Sequence, residues 1–124
     1  MKKLLVLSIA AILMVTFSMG LMAHSQNDFR LILSSNNNVY GVNYAYQQIG
    51  VDSYVINVKY HDAAGNVIET ERFGGDNFTF SNGYYCKHSI LPIPANCAYI
   101  TATMRVTLLD GTRYSNITAN TLFL

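Results

Sequence analysis

Ala98-Tyr99-Ile100-Thr101-Ala102-Thr103-Met104-Arg105-Val106-Thr107-Leu108 alternates without a break. Ala98, Ile100, Ala102, Met104, Val106 and Leu108 share one parity and are apolar. Tyr99, Thr101, Thr103, Arg105 and Thr107 share the other and, Tyr99 aside, are polar. A period of two belongs to a strand with one face in a core and one toward water, since a helix would scatter both sets. Asp110-Gly111 follows and supplies the positive backbone angles of a two-residue hairpin, which returns the chain along Thr112–Leu124. That last run is expected to break near Ala119-Asn120.

The same pattern extends outward. In Tyr54–His61, Tyr54, Ile56, Val58 and Tyr60 share one side, while Val55, Asn57, Lys59 and His61 share the other. Asp62-Ala63-Ala64-Gly65-Asn66 has the length of a four- or five-residue hairpin loop leading to Val67–Phe73. Asn82-Gly83 marks a second two-residue hairpin between Phe78–Ser81 and Tyr84–Leu91, and Phe29–Leu33 and Val39–Gln47 complete the set. Sheets with one apolar face must pack face to face or close on themselves. The expectation is all-β: a single antiparallel β-sandwich of seven to eight strands, with a small up-and-down barrel as the alternative. Ile90-Leu91-Pro92-Ile93-Pro94, a loop, a long alternating strand and an Asp-Gly hairpin together resemble the last three strands of an immunoglobulin-like or fibronectin-like sandwich. The resemblance is to the fold alone.

The N-terminus has a different logic. Lys2-Lys3, the apolar run Leu4 to Phe17 and then small residues form the pattern of a cleavable secretory signal. The run falls short of the ~20 residues that span a bilayer. Small residues at Ala23 and Ser25 place the cut after Ser25, and Ser18 and Gly20 offer a second cut after Gly20. The chain thus divides into a leader, 1–25, and one domain, 26–124, destined for the periplasm or the exterior of what looks like a bacterial cell. Losing Lys2 and Lys3 leaves six Lys and Arg against seven Asp and Glu, so the net charge moves from +1 to −1. No basic stripe survives to attract nucleic acid or an anionic membrane.

In an exported chain an even cysteine count points to a bridge, so Cys86 and Cys97 are expected to form a disulfide. Two cysteines without a neighbouring ligand pair are too few for a metal site, and no metal or cofactor is expected. His61 and His88 are the two histidines of the mature domain. His61 adjoins Asp62, but adjacent strand residues point to opposite faces, and neither histidine has a nucleophile in an elbow beside it. A small hydrolase is therefore the weakest of the readings, and the domain is expected not to be an enzyme. Glu69 and Glu71 share a side of one strand and read as protection of a sheet edge. Gly74-Gly75-Asp76-Asn77 reads as a turn and not a calcium loop.

The chain has nine Tyr and no Trp. Tyr pairs an apolar body with a polar tip, which suits contact with proteins or glycans. Tyr40, Tyr44 and Tyr46 are expected to complete the core, whereas Tyr84, Tyr85, Tyr99 and Arg105 are the candidate contact residues. The expected function is a binding or interaction module for a protein or glycan surface. The alternative is an assembly subunit that exchanges an edge strand. The C-terminus, with Phe123 next to last and Gly111 fourteenth from the end, is similar to that of chaperone–usher pilins, which implies completion by a donated strand. An Asp-Gly hairpin leading to a terminal strand accounts for the same letters.

Overall fold

A computed structural model describes residues 24–45, 48–80 and 83–124; the side chains at 77, 78, 80, 84 and 85 lie outside the description. The expected leader, 1–25, falls almost wholly outside the described residues. After a turn of 3-10 helix at Gln26–Asp28 come eight strands: β1 (Phe29–Ser34), β2 (Asn38–Asn43), β3 (Ile49–His61), β4 (Val67–Phe80), β5 (Gly83–Ser89), β6 (Tyr99–Leu108), β7 (Arg113–Thr118) and β8 (Leu122–Phe123). They form two antiparallel sheets packed against each other, a small β-sandwich. One sheet has the order β1-β2-β5 and the other β4-β3-β6-β7, with β8 pairing β6 beyond the end of β7. Among the described residues no helix is long and apolar enough to cross a membrane.

The alternation in β6 translates directly into packing. Ile100, Ala102, Met104, Val106 and Leu108 are buried, and the intervening residues face outward. In β3 the buried set is Ile49 and Val51, then Tyr54, Ile56, Val58 and Tyr60. The parity changes at Asp52-Ser53, where the register with β6 slips by one residue. A bulge there turns the strand so that both halves keep their apolar side inward. The last run breaks at residues 119–121, as its sequence predicts.

The turns are tighter than expected at one loop and looser at another. Leu108 and Thr112 close a three-residue loop through a Leu108 N–H to Thr112 carbonyl bond of 2.7 Å, and only Gly111 (φ 89°) takes the left-handed conformation. Asp62 and Asn66 close an equivalent loop with Gly65 at φ 90°. Both are a turn followed by one left-handed glycine, not the two-residue type read at Asp110-Gly111. Asp62 explains why its loop holds: its carboxylate accepts the amides of Ala64 and Asn66 at 3.0 and 2.8 Å. The Asn82-Gly83 turn lies partly outside the described residues. Val67–Phe73 and Phe78–Ser81 are not separate strands, because β4 runs unbroken along β3 through Gly74-Gly75.

One flank of the sandwich is sewn shut. Between β7 and β8 the Asn120 side chain accepts the Leu33 amide (2.9 Å) and donates to the Leu33 carbonyl (3.0 Å), acting as a strand partner for β1. At the same flank Tyr114 packs on Phe29 and donates to the His24 carbonyl at 2.8 Å. The other flank, between edge strands β4 and β5, has no such stitch among the described residues.

The expected disulfide is not formed. Cys86 and Cys97 are free thiols and sit apart. Cys86 points inward from β5 beside the Tyr54 ring, whereas Cys97 lies in the loop before β6, its sulfur 3.5 Å from the Tyr99 carbonyl and within electrostatic reach of Tyr60. Tyr54 and Tyr60 stand six residues apart on one strand, roughly 20 Å, and a bridge needs alpha carbons within about 7 Å. Short sequence spacing is defeated by the loop between β5 and β6, which carries the chain from one sheet to the other. We expect a thiol assay on chelator-treated, denatured protein without reductant to count both thiols, and reductant to leave the melting temperature of the native domain unchanged. A count of zero would restore the bridge.

Candidate functional site

Two places bring functional side chains together. The first is on the solvent face of the five-stranded sheet, at the end near the Asp62–Asn66 loop. Strand register sets Val67 of β4, His61 of β3, Tyr99 of β6 and Phe123 of β8 in one row as successive cross-strand neighbours. Tyr99 stacks on His61 at 4.5 Å between centroids and 7° between planes, and meets Phe123 at 5.9 Å and 43°. His61 is held by Thr101, whose hydroxyl lies 2.8 Å from Nε2. Phe123 is 76% exposed and Val67 48%. The row is thus an exposed, largely aromatic and apolar strip on the sheet face, with His61 within it and Thr101 beside it.

Of the residues expected to form a contact surface, only Tyr99 belongs to this row. Arg105 lies exposed on the same face of β6 but six residues further along, about 20 Å away. Tyr84 and Tyr85 belong to β5, in the other sheet, and their side chains are outside the described residues. Tyr44 stands half exposed with the Arg30 guanidinium 4.7 Å above its ring, outside the core in which it was expected. Tyr46 lies outside the described residues. Phe123 and Val67 escaped sequence reasoning because their partners, 24 residues upstream and six residues upstream, become neighbours only through register.

The second place is the open flank. A cleft of about 380 Å³ between β4 and β5 is lined by Tyr54, Gly75, Asp76, Thr79, Cys86, Lys87 and His88. The Tyr54 hydroxyl is 2.6 Å from His88 Nε2, and His88 stacks on Phe73 at 4.6 Å and 18°. Gly75 is required here, since a Cβ at that position would fall 2.6 Å from the Tyr54 ring. Next along the same inward face, the Tyr60 hydroxyl shares its proton between Glu71 Oε2 (3.0 Å) and the Ile90 carbonyl (3.1 Å). Glu69 and Glu71 therefore lie on the inward side of the edge strand, in register with Tyr60 and Val58, where the three-stranded sheet does not reach. The edge position was legible from sequence; the side was not.

Burial sets the protonation states in the cleft. It pushes the Cys86 thiol up to about 11 and the Tyr54 phenol up to about 12, and it pushes the His88 imidazole down. All three are thus neutral near pH 7. Which of the Tyr54 hydroxyl and His88 Nε2 donates follows from the imidazole tautomer. A second cavity of about 230 Å³, lined by Gln26, Asn27, Phe29, Arg30, Ile117 and Thr118, has one ionisable side chain and no such convergence.

No family model matches the chain, and no curated protein and no solved structure shows significant similarity to it.

The His88 arrangement has a sign for stability. Its folded pKa lies below the unfolded value of 6.5, so protons bind the unfolded chain more readily. The stabilisation is complete above pH 6.5 and is lost as pH falls through the lower folded value. Melting temperatures of His88→Gln should fall less steeply below that pH than those of the wild type. Parallel acid limbs would show that His88 titrates alike in both states.

Proposed function

We propose that this chain is an exported β-sandwich domain that works by contact, holding a protein or glycan surface and performing no reaction of its own. The row Val67–His61–Tyr99–Phe123 carries this reading. A sheet face meant only for water would not place a 76%-exposed phenylalanine beside a stacked Tyr–His pair. The stacking also means that Tyr99 and His61 are already ordered, so a partner meets a rigid surface and little side-chain entropy is lost on binding. The neutral states of Cys86 and His88 give no thiolate–imidazolium pair and so add nothing in favour of hydrolysis. The N-terminal leader, ending at Ser25 or Gly20, supports a periplasmic or extracellular location.

A second reading has its own observation. β4 is a 14-residue edge strand that, among the described residues, is paired on one side only, by β3. Such an edge is a template for an added strand, and an assembly subunit that exchanges strands would use it.

Phe123→Ala with Val67→Ser should change stability by no more than about 0.5 kcal/mol, while capture of the partner, tested on glycan arrays and on extracytoplasmic protein fractions, weakens by about 2 kcal/mol, the scale of a contact hot spot. Arg105→Ala is the internal control and should bind as the wild type does. Equal binding by all three would move the contact surface elsewhere. Size-exclusion of the mature domain addresses the second reading: we expect a monomer at all concentrations, and a concentration-dependent ladder of oligomers would favour strand exchange.

A further inference from the structure

The cleft between β4 and β5 contains three side chains whose chemistry the contact function does not use. Cys86 and His88 are two residues apart on β5, so alternation points both inward. Tyr54 comes from the facing sheet, 32 residues earlier in the chain. Its hydroxyl lies 2.6 Å from His88 Nε2 and within hydrogen-bond reach of the Cys86 sulfur. One sulfur, one imidazole nitrogen and one phenol oxygen from the two sheets thus line the same wall of the cleft, with the phenol beside both of the others.

We propose that Cys86 Sγ, His88 Nε2 and the Tyr54 oxygen bind a single divalent ion of the zinc type. Thiolate and imidazole together select borderline ions such as Zn²⁺ over Mg²⁺ or Ca²⁺, which require carboxylates and carbonyls. Among the described residues no three His, Cys, Asp or Glu side chains converge, so the third donor is the phenol. The fourth position faces the cleft and is left to water. Nε2 already faces the cluster, 2.6 Å from the Tyr54 oxygen, and the Phe73 ring stacked on His88 holds the imidazole in this orientation.

The charges balance. The ion displaces the thiol proton of Cys86 and the phenol proton of Tyr54, and both protons leave to the buffer. A dication held by two anions and a neutral imidazole has no net charge, which is the form a half-buried site tolerates best. The geometry is close but not yet closed: donors at ~2.0–2.1 Å from a tetrahedral ion stand ~3.3 Å apart, so the 2.6 Å oxygen–nitrogen pair must open by ~0.7 Å. His88 can give this distance, being half-buried on an edge strand whose outer flank is unpaired. Sequence spacing alone concealed the site. Cys86 and His88 make a two-ligand fragment, and the residue that completes it lies on another strand of the other sheet.

The mature chain, stripped with chelator under a phosphine reductant, is titrated with Zn²⁺ and with Co²⁺ as its spectroscopic stand-in. The expected result is one ion per chain, a raised melting temperature, and a sulfur-to-cobalt charge-transfer band with tetrahedral ligand-field bands. Calorimetry in two buffers of different ionisation enthalpy should report release of two protons for the wild type and one for Tyr54→Phe, which keeps the ring and its packing. Cys86→Ser and His88→Gln should each weaken Zn²⁺ binding by more than ~100-fold and Tyr54→Phe by ~10–100-fold, while Cys97→Ser binds as the wild type does. No uptake by the wild type overturns the proposal, as does undiminished binding by Cys86→Ser or His88→Gln, which would place the ion elsewhere. Should either variant fail to fold, the wild-type Co²⁺ spectrum decides, because a bound ion without a thiolate band excludes Cys86.

Discussion

A five-stranded sheet presents more inward surface than a three-stranded partner can cover, and the side chains along β3 and β4 record how the excess is handled. Where β1, β2 and β5 lie opposite, the inward residues are Ile56, Val58, Ile100, Met104 and Val106, all with almost no exposure. Where cover runs out, beyond β5, the inward residues change character: Tyr54 and Tyr60 at the boundary, then Phe73, Glu71 and Glu69 on β4. Tyrosine suits such a boundary because its ring packs against the core and its hydroxyl reaches a polar partner. Both tyrosines find one, His88 for Tyr54 and Glu71 with the Ile90 carbonyl for Tyr60. A phenylalanine at either place would fill the same volume and leave the partner unpaired, which costs roughly 1–3 kcal/mol for a buried group.

The same imbalance makes the two flanks of the sandwich different. On the β1 and β7 flank the edges meet closely enough for one amide side chain, Asn120, to satisfy both backbone groups of Leu33. On the β4 and β5 flank the Phe73 and His88 rings stack across the edges, and a cleft opens beside them. The cleft and the contact row are separate by construction. The cleft opens between the sheets, whereas the row lies on the far side of the five-stranded sheet and depends on the register of four strands. A partner on the outer face and an ion in the cleft could therefore be held together, with β3 as the shared wall: its even-numbered residues from Tyr54 onward look inward, and His61 looks out.

Much of this was legible along the chain. Alternation in Tyr54–His61 and Ala98–Leu108 named the buried and exposed sides residue by residue, because in a strand with one covered face the period of two and the core are the same fact. Gly65 and Gly111 marked the turns. The departures from the pattern are local in each case. The Gly74-Gly75 pair was read as a turn but lies within β4, where the tyrosine ring opposite Gly75 leaves no room for a side chain. The Asp52-Ser53 bulge left no mark in the alternation that could be told from a strand beginning at Tyr54. The cysteines were joined on the strength of compartment and count, although a short separation in sequence says little when the intervening loop crosses from one sheet to the other.

The sequence by itself determined the class of fold and the strands that make the core, since each depends on residues that are neighbours in the chain or alternate along it. It also determined that tyrosine would carry the polar contacts, through composition alone. Only the tertiary structure decided which tyrosines those are, that Tyr99 is joined by Phe123 and not by Arg105, that Cys86 faces Tyr54 and His88 and not Cys97, and that Glu71 looks inward. These are facts of register and of the number of strands in each sheet. Both are fixed by the summed packing of whole faces, a sum to which no single stretch of sequence has access.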